Sequence, residues 1–118
     1  MNINIRGNLV DLSKPKVMGI LNLTPDSFYD GGKFNDLGKI ESHVSGMIKN
    51  GMDFLDIGGY SSRPGAKEIS ENDEISRIIK TLQFIRKKFP ELIISVDTFR
   101  SEVARVSLNE GADIINDI

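Results

Sequence analysis

The feature that most constrains the fold is a regular alternation of short apolar runs with longer amphipathic stretches. Apolar runs of strand length occupy residues 17–21, 54–57 and 92–96, and a further run begins at Ile114. Such short, mainly apolar runs are typical of strands that are buried on both faces of a parallel sheet. The sequence therefore predicts four strands that pair in parallel through helical connections.

Three helical patterns lie between these runs, and a hairpin pattern precedes them. Asn50 and Gly51 are expected to end the first helix, and Pro90 the second. The alternation in residues 3–10 predicts a small β-hairpin with its turn at residues 6–8. The apolar helix positions, in chain order, are Leu37, Ile40, Val44, Met47 and Ile48; Ile75, Ile78, Ile79, Leu82, Ile85 and Phe89; and Val103, Ala104 and Leu108.

Two architectures fit this order of elements: a doubly wound open sheet and a (β/α) barrel. A complete (β/α)8 barrel takes ~250 residues. Four strands in 118 residues amount to half of one. The sequence stops at residues 116–118, in or just after the fourth strand, and we expect this end to be a truncation.

The composition excludes several classes of function. The formal net charge of −2 gives no basic surface for nucleic acid. No apolar run approaches the ~20 residues of a membrane span, and the N-terminus has no apolar segment of a secretory signal, so we expect a cytoplasmic protein. The absence of cysteine excludes disulfides, thiolate metal sites and cysteine nucleophiles.

Polar residues gather where the predicted strands end. Asn22, Asp97 and Asn116 end the first, third and fourth strands, and the second runs into a polar loop at residues 58–65. Taken singly, Asp26 could cap a turn, Asp97 could cap the third helix and Asn116 could satisfy loop backbone. Together, on the edge where parallel sheets carry their chemistry, they favour a ligand site.

The residue types indicate what such a site would bind. Asp97 and Asn116 can match the N–H groups and ring nitrogens of a fused heterocycle such as a pterin. Arg63 is suited to an anion because its guanidinium is a planar fork of donors. Asn22 offers a neutral oxygen to a Mg²⁺ ion that is held mostly by phosphate oxygens and water.

Two long motifs resemble the signatures of dihydropteroate synthases. MGILNLTPDSF at residues 18–28, followed by DGG at 30–32, is similar to the first signature, and DIGGYSSRPGA at 56–66 to the second. SVDT at 95–98 and IIND at 114–117 resemble the family's third and fourth strand ends. The match covers nearly the whole chain in the right order.

The resemblance implies a transferase of folate biosynthesis on a TIM barrel. Such an enzyme condenses p-aminobenzoate with 6-hydroxymethyl-7,8-dihydropterin diphosphate and releases diphosphate, and sulfonamides compete for the p-aminobenzoate pocket. We therefore expect residues 1–118 to be the N-terminal half of a TIM (β/α)8 barrel: an α/β domain with about four parallel strands and three helices, preceded by the hairpin. The full-length protein is expected to be a cytoplasmic homodimer.

The resemblance also assigns roles to individual residues. Asn22 would help to bind Mg²⁺ with the diphosphate, and Asp26 and Arg63 would be catalytic. The first loop would close over the site, and Phe28 and Pro64 would line the p-aminobenzoate pocket. The implied substrate-binding residues are Phe28, Ser62, Arg63, Pro64, Asp97 and Asn116.

The sequence departs from the family pattern at Tyr60, where an acidic residue is usual, and at Ser62, where threonine is usual. In the family, the later strands supply a further aspartate, a lysine, an arginine and a histidine to the site. Those strands are not part of this chain, so we expect the chain alone to be inactive. Two other interpretations are a pterin-binding methyltransferase, which the first-loop signature disfavours, and an inert folded half-barrel.

Overall fold

The computed structural model describes residues 2–5, 8–11, 16–23, 34–59 and 70–116. Two short strands, β1 (Asn2–Ile5) and β2 (Asn8–Asp11), form the antiparallel hairpin predicted for the N-terminus. The other elements follow in the predicted alternation: β3 (Met18–Asn22), α1 (Phe34–Lys49), β4 (Phe54–Gly58), α2 (Glu71–Lys88), β5 (Ile93–Asp97), α3 (Ser101–Asn109) and β6 (Ile114–Asn116).

The strand order decides between the two architectures. Strands β3 to β6 form one four-stranded sheet in the order β3-β4-β5-β6, and every neighbouring pair is parallel. A doubly wound sheet would reverse its order at a switch point, whereas a barrel adds its strands consecutively. The described elements therefore form half of a (β/α)8 barrel, as predicted, and the doubly wound alternative is wrong.

The hydrophobic core lies between one face of the sheet and the helices. The register aligns Leu21 with Ile57 and Ile57 with Val96, and all three side chains are fully buried. Burying a large aliphatic side chain contributes about 1.5–3 kcal/mol, so this face anchors the helices on the sheet. The buried helix residues that belong to the same cluster are Ile40, Val44, Ile78, Leu82, Ile85 and Val103.

Two helices end with the same backbone motif. Gly51 follows α1 with φ of 99°, and Gly111 follows α3 with φ of 117°, a conformation that side chains disfavour. In each case the N–H of the residue after the glycine donates to the carbonyl five residues earlier, at 3.0 Å. This motif satisfies otherwise free helix carbonyls and directs the chain into the next strand.

Arg86 ties the opposite end of the half-barrel together. Its Nη1 atom donates to Leu92 O at 2.7 Å, and its Nη2 atom to Gly111 O at 2.7 Å. Nη2 also pairs at 2.9 Å with Asp113, whose carboxylate accepts from the N–H of Ile94. The guanidinium thus joins α2 to the segments that enter β5 and β6.

The interpretation of Asp97 as a helix cap is wrong. Asp97 is the last residue of β5, and α3 begins four residues later at Ser101. The residue at the N-cap position is Arg100, which makes no side-chain capping bond. Asp97 instead ends β5 at the carboxyl edge of the sheet.

Candidate active site

The strand register places three predicted site residues in one row. Asn22 aligns with Gly58, Gly58 with Asp97, and Asp97 with Asn116. In parallel strands, aligned residues point to the same face, so the row lies on the face opposite the helix-covered core. The predicted grouping of Asn22, Asp97 and Asn116 at the carboxyl edge is confirmed.

Gly58 keeps a gap open in this row. A Cβ atom at Gly58 would lie 3.9 Å from Asn22 Oδ1 and 3.8 Å from Asp97 Oδ2. The amide oxygen and the carboxylate oxygen therefore flank one space that no side chain of β4 fills. A ligand can approach the backbone closely at such a position.

A buried carboxyl group forms the floor beneath the row. Asp56, two residues before Gly58 on the same face, is 4% exposed, as is Ser95, whose hydroxyl donates to it. Burial raises the pKa of Asp56 above its ordinary value of 3.8, and side-chain hydrogen bonds from Ser95 and Asn116 partly oppose that shift. The sequence patterns predicted no role for Asp56, although a charged residue inside the apolar run at 54–57 is unusual enough to mark it.

A second buried carboxylate supports the segment after β5. Glu74 of α2 is 0% exposed, and its Oε2 accepts a hydrogen bond of 2.8 Å from Thr98 Oγ1. Its Oε1 accepts from Arg100 Nη1 at 3.3 Å. The N–H of Thr98 donates to Asn116 O at 3.2 Å, so the ends of β5 and β6 are joined directly. The residue after Asp97 is thus fixed from two sides.

Arg77 anchors the residues from which the two long loops leave the sheet. Its Nη1 atom donates to Gly59 O at 3.2 Å and to Leu23 O at 3.5 Å. Leu23 and Gly59 directly follow β3 and β4, so the guanidinium of this one α2 residue binds the backbone where the chain leaves each strand. The N–H of Leu23 also donates to Gly58 O at 2.7 Å.

The other predicted site residues lie outside the described residues. They belong to the two loops that follow β3 and β4, which are residues 24–33 and 60–69. They are Asp26, Phe28, Ser62, Arg63 and Pro64, together with the unusual Tyr60.

Asn22 offers a donor that suits a magnesium ion. Its Oδ1 is a hard oxygen donor beside the gap at Gly58. Within the described residues, no three His, Cys, Asp or Glu side chains come together as a protein cage. Mg²⁺ keeps several waters and prefers one or two protein oxygens with substrate phosphates, so the amide oxygen of Asn22 fits such an ion.

Comparison with known protein families identifies the family to which this chain belongs. The model of the family described as pterin binding enzyme matches residues 18–118. The chain belongs to the pterin binding enzyme family. The match begins at β3 and includes the whole four-stranded sheet, and therefore the complete row of strand-end residues.

Known members of this pterin binding family resemble the chain in sequence and in structure. It is 49% identical over 118 residues to dihydropteroate synthase of Escherichia coli, covering 100% of this chain and 42% of that protein. The dihydropteroate synthase of Xanthomonas albilineans solved with 4-aminobenzoic acid matches with a TM-score of 0.86 and 39% identity, over 99% of this chain and 43% of that one. The Yersinia pestis dihydropteroate synthase solved with a sulfonamide drug complex matches with a TM-score of 0.84 and 43% identity, over 100% of this chain and 42% of that one.

The coverage values show how much of a whole relative this pterin binding domain represents. The chain spans 42% of the length of the Escherichia coli relative. Its half-barrel corresponds to a similar share of the solved chains. Among the helices of the described residues, none has the length and apolar character needed to cross a membrane.

Proposed function

We propose that the protein carrying this chain is a dihydropteroate synthase. It joins p-aminobenzoate to 6-hydroxymethyl-7,8-dihydropterin diphosphate and releases diphosphate. The observation that carries the proposal is the row of Asn22, Asp97 and Asn116 at one sheet edge in a member of the pterin binding family. The names of the relatives, and the 4-aminobenzoic acid and sulfonamide bound to two of them, support the same reaction.

In this reaction the described residues bind and orient the pterin. Asp97 and Asn116 offer oxygen acceptors and amide donors to the ring, and the gap at Gly58 admits the substrate between Asn22 and Asp97. Holding both reactants at a fixed distance and angle lowers the entropic part of the barrier. No covalent enzyme intermediate is needed, because diphosphate is already a good leaving group.

The loop residues and the metal complete the proposed mechanism. Asp26 and Arg63 act in catalysis, with Arg63 balancing negative charge on the departing diphosphate. Ser62 contacts the pterin diphosphate, and Phe28 and Pro64 line the p-aminobenzoate pocket. Asn22 would hold Mg²⁺, which when bound neutralises diphosphate charge. The full-length protein is proposed to be a cytoplasmic homodimer.

A chimera provides the test. Residues 18–118 would replace the aligned segment of the Escherichia coli enzyme, and dihydropteroate formation would be measured with Mg²⁺ and both substrates. We expect turnover that a sulfonamide inhibits competitively with p-aminobenzoate. Asp97→Ala should lower kcat/KM by about 10- to 100-fold, since hydrogen bonds to charged groups contribute about 1.5–3 kcal/mol.

Two results would contradict the proposal. One is a folded chimera without turnover, and the other is an Asp97→Ala chimera as active as its parent. Lys87→Ala is the matched control, because Lys87 is exposed on α2 near the opposite end of the sheet. The 118-residue chain alone is expected to show no turnover, since the family's later-strand residues are absent from its sequence.

A further inference from the structure

The first two turns of α2 support the carboxyl edge of the sheet. Arg77 lies in this part of the helix, half-buried, and its Nη1 atom donates to Gly59 O at 3.2 Å and to Leu23 O at 3.5 Å. These carbonyls belong to the residues directly after Gly58 and Asn22, which are two aligned members of the row. One guanidinium therefore joins two neighbouring strands one residue beyond the row.

The backbone that follows β4 packs closely against the same helix. A Cβ atom at Gly59 would lie 3.2 Å from Ile78 Cγ1 and 3.5 Å from Glu74 Cγ. Because Gly59 has no side chain, the chain can approach α2 closely enough for the guanidinium to reach its carbonyl. The N–H of Leu23 donates to Gly58 O at 2.7 Å, so the two strand exits are also bound to each other.

We propose that Arg77 is a positioning residue of the active site. It fixes the points from which the two long loops leave the sheet, relative to each other and to the row. The sequence after Leu23 contains Asp26, and the sequence after Gly59 contains Arg63. The inference rests on the proposed function for the catalytic roles of Asp26 and Arg63, and it adds the residue that gives both loops one common anchor.

The hydrogen bonds just described for Arg77 are weaker than those of Arg86, the other arginine of α2. Arg86 donates to Leu92 O and Gly111 O at 2.7 Å each, and it also pairs with the buried carboxylate of Asp113. At 3.2 and 3.5 Å, the two bonds of Arg77 lie at and beyond the usual upper limit. A displacement of about 1 Å at a reacting group can nevertheless cost about 100-fold in rate, so contacts of this strength matter more for turnover than for folding.

The two arginines act at opposite ends of the sheet. Arg86 binds segments that lead into β5 and β6, whereas Arg77 binds the residues that follow β3 and β4. In (β/α) barrels, the carboxyl ends of the strands carry the chemistry, and the other end contributes to stability. The same residue type on the same helix therefore provides a matched pair: loss of Arg77 should affect the reaction, and loss of Arg86 should affect stability.

The first test compares Arg77→Met with Arg86→Met in the chimera described above. Methionine keeps an unbranched apolar stem and removes the guanidinium. Arg77→Met should lower kcat/KM for p-aminobenzoate by about 10- to 100-fold, because the two loops no longer start from fixed points. Its Kd for 6-hydroxymethylpterin, measured by calorimetry, should stay near that of the parent. The proposed function assigns the pterin ring to Asp97 and Asn116, whereas the two bonds of Arg77 reach the ends of β3 and β4.

Arg86→Met should show the reverse behaviour, with a lower urea midpoint and a parental kcat/KM under conditions where the variant is folded. Arg77→Lys is the conservative variant, because its ammonium can donate to one of the two carbonyls and should restore part of kcat/KM. A parental kcat/KM in Arg77→Met would overturn the inference. An equal loss of kcat/KM in Arg86→Met, or an equal loss of pterin affinity in Arg77→Met, would also overturn it, since a general loosening of the barrel would then be responsible.

The second test measures amide hydrogen exchange and needs no activity. In the ¹⁵N-labelled chimera, Arg77→Lys should make the backbone amide of Leu23, which donates to Gly58 O, exchange faster than in the parent. The amide of Ala112, which donates to Ser107 O at the opposite end of the sheet, should keep its rate. An unchanged rate at Leu23 would overturn the inference. An inactive parent chimera in which Leu23 still responds to Arg77→Lys would contradict the proposed function alone, so the two failures are distinguishable.

Discussion

Oε2 of Glu74, in the first turn of α2, accepts a 2.8 Å hydrogen bond from Thr98, the residue that follows Asp97 at the end of β5. Its other oxygen accepts from Arg100. Glu74→Ala should destabilise the chain by about 3 kcal/mol, because it removes a fully buried carboxylate that accepts hydrogen bonds from both Thr98 and Arg100. Glu74→Gln should cost less, since it keeps an acceptor for Thr98. Urea unfolding of the three proteins measures both effects.

The control for Glu74 is the ion pair of Glu102 with Arg105, which lies on the surface of α3. Solvent screens such a pair, so Glu102→Ala should change the unfolding midpoint far less. Equal effects of the two alanine substitutions would show that burial of Glu74 does not strengthen its contacts.

Alanine should have opposite effects at two glycines. At Gly19 in β3, a Cβ atom would overlap with Met52 Sδ and lie 2.7 Å from Met47 Sδ, so both side chains must move. Overpacking of this kind costs about 1–3 kcal/mol. At Gly38 in α1, nothing lies within 4 Å, and alanine should stabilise the helix by about 0.5–1 kcal/mol. The midpoint temperature of thermal unfolding should therefore fall for Gly19→Ala and rise for Gly38→Ala. Shifts in the same direction would refute the packing argument.

Removal of Arg86 should be among the more damaging single changes. Arg86→Met removes the cation that pairs with the Asp113 carboxylate, whose side chain is 2% exposed, and removes the hydrogen bonds from Arg86 to three backbone carbonyls. Breaking such a pair typically costs about 3–5 kcal/mol. Unfolding in urea should show this loss, whereas Lys87→Ala on the exposed side of α2 should leave the midpoint unchanged. A small effect of Arg86→Met would mean that water replaces these bonds easily.

Asp56 should make stability depend on pH in a defined direction. Because burial raises its folded-state pKa above 3.8, its contribution to stability is fully present below pH 3.8 and is lost as pH rises through the folded-state pKa. The stability of the wild type relative to Asp56→Asn should therefore fall over that range. Urea unfolding from about pH 3 to about pH 8 tests this.

Glu102 provides a control of opposite sign for Asp56. The hydrogen bond from Arg105 lowers its pKa below 4.5, so its contribution is present above pH 4.5 and is lost as pH falls through the folded-state pKa. Relative to Glu102→Gln, the wild type should therefore lose stability on acidification. The assignment would be contradicted if the stability of the wild type, relative to Asp56→Asn and to Glu102→Gln, changed in the same direction with pH.

Much of the fold could be predicted because its signals are local. The apolar runs and helical spacings predicted, in the right order, every strand and helix of the described residues, and they identified the glycine that ends α1. Asn22, Asp97 and Asn116 were placed at strand ends for the same reason. Since the carboxyl ends of parallel strands share an edge of the sheet, the grouping of these three residues could be predicted from the sequence alone.

The tertiary structure alone decided the contacts beneath and beside that edge. Ser95 donates to Asp56 across 39 positions of sequence, and Thr98 to Glu74 across 24. No periodicity specifies such partners, because they depend on the register of neighbouring strands and on which helix turn packs over them. The sequence by itself determined which elements form and which residues end the strands, whereas the packing of those elements determined that Thr98, beside Asp97, is bound by the buried carboxylate of Glu74.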